Sequence, residues 1–352
     1  MSAEAPGEVS SSRSRSAREE AAHRWDRLTK PLGSLGRLEE LGIRLAGITG
    51  RPFPAFSRKV IFTVAADHGI VAEGVSAYPQ AVTAQMVLNF LRGGAAINVL
   101  ARHAGAEVII VDAGVAEVLP VHEGLVVCKV RNGTANFLKE RAMSRPEAER
   151  MVEAGRRLFE ETHRSRPIDL LGLGEMGIGN TTASSAVAAL YSGLTPEEVT
   201  GRGTGLDEAQ RVRKAEVVRR ALDRHRPDPA DPLEVLSCVV GLEIGCLAGI
   251  TLGAAAARVP VMLDGFITTA AARLAVALEP SVREGLIASH CSVEPGHRVL
   301  LSQLGLEPLF DLKMRLGEGT GAALAFTLAE ASVKLLREMA TFGEAGVSEK
   351  SG

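Results

Sequence analysis

Apolar runs alternate with amphipathic segments along this chain. VIFTVAADHG (Val60 to Gly69) stays apolar until turn residues close it, which is how a strand buried on both faces reads. EVIIVDAG (Glu107 to Gly114), LVVCKV (Leu125 to Val130), IDLLGLG (Ile168 to Gly174), VPVMLDG (Val259 to Gly265) and GLIASH (Gly285 to His290) repeat the form, for about six strands. Helical patterns separate them. PQAVTAQMVLNFL opens on Pro79, which suits a first helical position, and GGAAINVLARHAG closes on Gly105, which suits the residue after a helix. PEAERMVEAGRRLFEETHR (Pro146 to Arg164) is amphipathic, DEAQRVRKAEVVRRALDRH starts on Asp207 as N-cap or first-turn acid, and TGAALAFTLAEASVKLLREMA ends the pattern.

Strands alternating with helices predict an α/β fold, a mostly parallel sheet with right-handed crossovers. In such sheets ligands sit beyond the carboxyl ends of the strands. Here those ends carry Asp67-His68-Gly69, Asp112-Ala113-Gly114, Gly172-Leu173-Gly174-Glu175, Asp264-Gly265 and Ser289-His290. Helices before Val60 and after Thr320 fall outside the strand-rich block. The expected organisation is a disordered tail over residues 1–20, a small helical domain from residues 21–58 and 320–345, and a large α/β nucleotide-binding domain over residues 59–319.

Composition narrows the function classes. With 46% hydrophobic residues, 4% aromatics and abundant glycine and alanine, the chain suits helices closely packed on a sheet. A net charge of -2 with mixed signs points to neither nucleic acid nor a membrane surface. The most apolar window, IGCLAGITLGAAAA (Ile244 to Ala257), is shorter than the roughly 20 residues a bilayer requires, so it reads as a buried helix. The four cysteines form no C-x-x-C and no zinc spacing, so reduced thiols, a cytoplasmic setting and no metal are expected. The Ser/Arg-rich start has no apolar signal region.

Candidate chemistry lies in three glycine turns. GLGEMGIGNTTAS (Gly172 to Ser184) contains G-x-G-x-x-G after a strand and before a helix, where backbone N–H groups and a helix N-terminus favour an anion. A dinucleotide site also wants an acid at the next strand end, about 20 residues on. Glu197 and Glu198 instead sit in TPEEV, which reads as a helix start. The glycines therefore leave open an NAD-dependent oxidoreductase, a single-phosphate pocket, a nucleotide-binding regulator without turnover, or a plain turn. GRGTGLDEAQ (Gly201 to Gln210) opens a second helix, with Lys214 two turns in. RLGEGTGAALA (Arg315 to Ala325) sets Glu318 between glycines before an apolar helix: either a helix-capping acid or a carboxylate whose desolvation suits a general base. ADHGI and SVEPGH add Asp67, His68 and Ser292 as further polar candidates.

These stretches, with LTKPLGSLGRLEELG, GVSAYPQAVTAQMVLNFLRGGAAINVLAR, LDGFITTAAA and EPGH, resemble nicotinate-nucleotide:dimethylbenzimidazole phosphoribosyltransferases of cobamide assembly over about Arg24 to Met339. The resemblance implies a Rossmann-like sheet with a small helical domain from both termini, and a homodimer needing no cofactor. It implies transfer of phosphoribose from nicotinate mononucleotide to 5,6-dimethylbenzimidazole, giving α-ribazole 5′-phosphate and nicotinate. It assigns Glu318 as the base and Glu175 as a second acidic partner. Gly177, Asn180, Thr181 and Thr182 would form the phosphate cradle, with Gly203, Lys214 and Ser292 as further donors. Tyr78, Gln85, Met86, Met176 and Leu316 would form the pocket for the aromatic base.

Overall fold

The protein's structure, a computed structural model, describes residues 6–348. Six strands form one sheet: β1 (Lys59–Ala66), β2 (Glu107–Gly114), β3 (Leu125–Val127), β4 (Leu170–Met176), β5 (Val261–Leu263) and β6 (Leu286–Ala288). Their order is β3-β2-β1-β4-β5-β6, and every pairing is parallel. The order reverses direction between β1 and β4, where a crevice opens beyond the carboxyl ends. All six expected strands are present. The last two are shorter than their apolar runs because DG and SH turn away at once to build the crevice.

All eight residues of β1 are buried, which accounts for its unbroken hydrophobicity. Its alternate residues serve two separate cores. Val60, Phe62, Val64 and Ala66 face one layer with Leu171, Leu173, Val261 and Leu263. Ile61 and Ala65 face the other with Leu170, Met262 and Ile287. The first layer includes the helices Arg145–Ser165 and Leu242–Ala256, and the second includes the helix Thr320–Glu338. On that last helix Ala322, Phe326, Ala329 and Val333 recur at helical spacing and fill the second core. Phe326 is fully buried, so truncating it to alanine would cost about 3–5 kcal/mol.

The chain start corrects one expectation. Residues 1–5 lie outside the described residues, but Pro6–Arg27 is a helix where the sequence predicts a disordered tail. Its polar composition hides an apolar stripe. Ala17, Ala21 and Trp25 are spaced by four and are all buried. Ala21 and Trp25 pack with Leu28, Ala46 and Leu336, and Arg24 Nε donates to Leu336 O at 2.7 Å. Both ends of the chain thus meet beside the sheet, and Leu28 bridges Thr341.

Candidate functional site

A cavity of about 320 Å³ sits at the β1/β4 crevice. Strand β4 delivers Glu175 and Met176 to it, and the following turn delivers Gly177, Asn180 and Thr181. The ends of β5 and β6 contribute Gly265, His290 and Ser292, and the turn before the last long helix contributes Arg315, Leu316 and Gly317. Gly203, Thr204 and Tyr78 complete the rim. Most lining residues come from strand ends and the turns after them, as a parallel sheet requires.

The glycines of the G-x-G-x-x-G stretch serve packing. A side chain on Gly172 would meet Ile61, Phe326 and Ala322 at 3.0–3.1 Å. A Cβ on Gly174 would lie 2.2 Å from the backbone oxygen of Glu318, and one on Gly177 would lie 2.6 Å from Ala66 O. Gly174 is buried beneath the turn that carries Glu318 and Gly172 beneath the helix Thr320–Glu338 that follows, so both can lie directly on β4. Thr63, paired with Gly174 across the sheet, anchors the same turn by donating to Glu318 O at 2.9 Å. The first two glycines therefore leave no room for a pyrophosphate, which removes the dinucleotide reading of the motif.

Glu318 itself has φ +65, a left-handed conformation that costs a non-glycine residue energy and persists only where the surroundings hold it. Asp264 holds it. Its two carboxylate oxygens accept the N–H groups of Gly319 and Gly321 at 2.9 and 2.6 Å. Glu318 is buried, and its Oε2 accepts the Ile97 N–H at 3.2 Å, at the start of the helix Ala96–Ala104. Its Oε1 accepts no hydrogen bond among the described residues. Burial raises the Glu318 pKa, the Ile97 N–H opposes this, and the nearby Asp264 charge adds to the rise.

Glu175 is the more constrained carboxylate. Burial pushes its pKa well up, and Asp264, Glu243 and Glu318 push the same way against the Asn180 amide that donates to Oε2. It packs against Gly317, where a Cβ would lie 2.2 Å from Oε1. Asp264, Glu243 and Glu318 thus crowd Glu175, the one of these four carboxylates that lines the cavity. Glu243 is paired with the buried His68 at 2.7 Å.

The opposite end is cationic. Lys214 has no solvent exposure, and its ammonium donates to Thr181 Oγ1 at 2.7 Å. Burial lowers its pKa to about 8, with Glu294 opposing. Asn180 and Thr181 open the helix Asn180–Ser192, whose N-terminus adds partial positive charge. Arg315 donates to Gly203 O at 3.1 Å. The Gly203 N–H donates to Glu294 Oε1 at 2.9 Å, so that donor is occupied. Ser292 is held by His297, whose Nδ1 accepts its N–H at 2.9 Å; burial lowers that ring to about 3 and keeps it neutral.

Of the residues singled out in the sequence, the cavity is lined by Tyr78, Glu175, Met176, Gly177, Asn180, Thr181, Gly203, Ser292 and Leu316. Lys214 stands one contact behind Thr181, and Thr182 is buried behind the turn. Glu318 flanks the cavity beside its lining neighbours Leu316 and Gly317. Met86 packs against the second core, as Met176 does, and Gln85 is exposed on its helix. The Asp112 strand end does not join the site, because Lys129 pairs with it at 2.8 Å and nearby backbone N–H groups cap it. The sequence reading gave no role to Asp264, Arg315, Glu243 and Glu294. Asp264 was visible only as a polar strand end, and Arg315 only as the first letter of a glycine turn. Among the described residues no group of three or more His, Cys, Asp or Glu is placed to hold a metal ion, and no helix is long and apolar enough to cross a membrane.

Comparison with known proteins places the chain. A family model described as phosphoribosyltransferase matches residues 11–347. The nicotinate-nucleotide–dimethylbenzimidazole phosphoribosyltransferase of Chloroflexus aggregans is 59% identical over 330 residues, covering 94% of this chain and 93% of that protein. Its counterpart from Desulforamulus reducens is 55% identical over 332 residues, covering 94% of each chain. A crystal structure of CobT from Thermus thermophilus superposes with a TM-score of 0.91 at 51% identity, covering 95% of this chain and 100% of that one. The chain belongs to the nicotinate-nucleotide–dimethylbenzimidazole phosphoribosyltransferase family.

Proposed function

We propose that this enzyme transfers 5-phosphoribose from nicotinate mononucleotide to 5,6-dimethylbenzimidazole, with Glu318 as the general base. The observation that carries the base role is the state of its carboxylate: one oxygen is tied to Ile97 N–H, the other accepts no hydrogen bond among the described residues, and burial has raised its proton affinity. The phosphate would bind at the cationic end, between Lys214, Thr181 and the helix N-terminus. The ribose would then lie toward the carboxylates.

The chemistry asks for little more. In the donor, the pyridine nitrogen is already cationic, so it leaves C1′ with the bonding electron pair as a neutral ring and no acid is required. Positive charge builds on the ribose, where the neighbouring carboxylates favour it. One imidazole nitrogen of the acceptor forms the new bond to C1′. The other N–H then becomes acidic and gives its proton to Glu318. Attack opposite the leaving ring converts a β-nucleotide into an α-riboside. Tyr78, Met176 and Leu316 supply a flat, adaptable wall for the acceptor ring. Incubating the protein with both substrates tests this: nicotinate and an α-riboside phosphate should appear together. Nucleotide binding without nicotinate release, whichever azole is supplied, contradicts it. The same reading includes a cytoplasmic homodimer, and a monomeric mass by light scattering would remove that part without touching the chemistry.

A further inference from the structure

The opposite edge of the sheet carries a second cleft. It lies where the chain enters β5 and β6, whereas the catalytic cavity lies where the chain leaves them. Arg18, Arg44 and Arg283 line a space of about 660 Å³ there, with Ile43 and Leu306 as an apolar wall. They come from separate elements: the first helix, the helix Arg37–Thr49, and the short turn Pro280–Gly285. Arg18 also lines an adjoining space of about 350 Å³ that reaches Ser14, Arg258 and Ser281.

This cluster has too few anions of its own. Glu40 and Glu284 stand on the rim, yet among the described residues neither makes an ion pair with any of the three arginines. Arg44 Nη2 donates to Leu286 O, and Arg283 Nε donates to Leu304 O at 2.6 Å. Backbone carbonyls thus fix two guanidinium planes without neutralising them. Burial lowers the Arg44 pKa, and the charges of Arg18 and Arg283 lower it further, so the groups repel. A like-charge cluster held in place by packing is relieved by an anion that several forks can grip at once. Three forks around a space of this size suit two linked phosphates better than one, and the apolar wall suits an organic remainder.

We propose that this cleft binds a small molecule carrying a diphosphate group, at a site separate from the catalytic cavity. It stands apart from the transferase reading, because no residue is shared and binding alone is the readout. The test is calorimetric titration with inorganic pyrophosphate at about 0.15 M salt, so that exposed charges are screened. The titrated protein is Lys214→Met, in which the phosphate cradle of the catalytic cavity has lost its cation. It should still give a one-to-one isotherm. Adding Arg18→Gln or Arg283→Gln to it should weaken binding about tenfold each, the value of one charge-assisted contact. Glu284→Gln should tighten it. Arg18 is exposed and has no side-chain hydrogen bond among the described residues, so its variant keeps the fold, as thermal unfolding would verify. No binding by the Lys214→Met protein at millimolar pyrophosphate, or an affinity unmoved by both arginine variants, would overturn the proposal.

Discussion

The two ends of the catalytic cavity bury charge of opposite sign in different ways. At one end the Lys214 ammonium donates to a single hydroxyl, with the Glu294 carboxylate nearby, and is lowered only to about 8. At the other, Glu175, Glu243, Asp264 and Glu318 crowd together, and Glu175 and Glu318 are driven upward. Burial alone would neutralise an isolated group of either sign. The difference lies in what each end awaits. A cation with one partner is completed by an incoming anion. A carboxylate with one held oxygen and one open oxygen is completed by a proton. The cavity is polarised along the direction in which a phosphate, a ribose and a departing ring would lie.

The largest break in that contrast comes from removing the proton acceptor. Glu318→Gln should keep the fold and nucleotide affinity and lower kcat by about 10²–10⁴-fold, as loss of general-base assistance does. Steady-state rates beside a nucleotide-binding titration check this. Lys214→Met attacks the other end. It should raise the KM for nicotinate mononucleotide about 10- to 100-fold, the loss of a charge-assisted contact. In the unaltered protein that affinity should weaken as pH rises through about 8, because the depressed lysine loses its charge there. Gly174→Ala sharpens the account of how the acid end is built. Its Cβ would strike the Glu318 backbone, so stability should fall by about 1–3 kcal/mol and turnover should fall with it. Denaturant melts beside kinetics would show both.

The smallest effect concerns stability. The folded pKa of Glu175 lies above its ordinary value of 4.5, so the folded state favours its protonated form. Its favourable contribution is complete below that ordinary value and disappears as pH rises through the raised one. Glu175→Gln should therefore melt a few degrees higher than the unaltered protein at neutral pH. The gap should close as the pH approaches 4.5. A melting series across pH measures it.

Much of the fold was legible because β1 and its neighbours are buried on both faces, and such strands appear as unbroken apolar runs. The first helix was not, because only Ala17, Ala21 and Trp25 mark its buried stripe among charged and hydroxyl residues. Alanine carries little signal until its neighbour is known. In the site, glycine turns and the acids beside them were visible locally. Their reasons were not. Gly174 is a glycine because of Glu318, far along the chain, and Asp264 matters because two distant N–H groups come to it. The Gly203 N–H looked like a ligand donor until the fold brought Glu294 to it. Contacts of this range are set by topology, and a local pattern does not contain them.

The central claim is that Glu318, held by one oxygen and raised by burial, takes the acceptor's proton. The most direct measurement is the pH dependence of single-turnover nicotinate release, compared between the unaltered protein and Glu318→Gln with both substrates saturating. The account predicts a rate that falls as pH drops through a pKa above the usual glutamate value of 4.5, and a slow rate without that limb in the variant. An acid limb that persists unchanged in Glu318→Gln, with near-normal turnover, would contradict it.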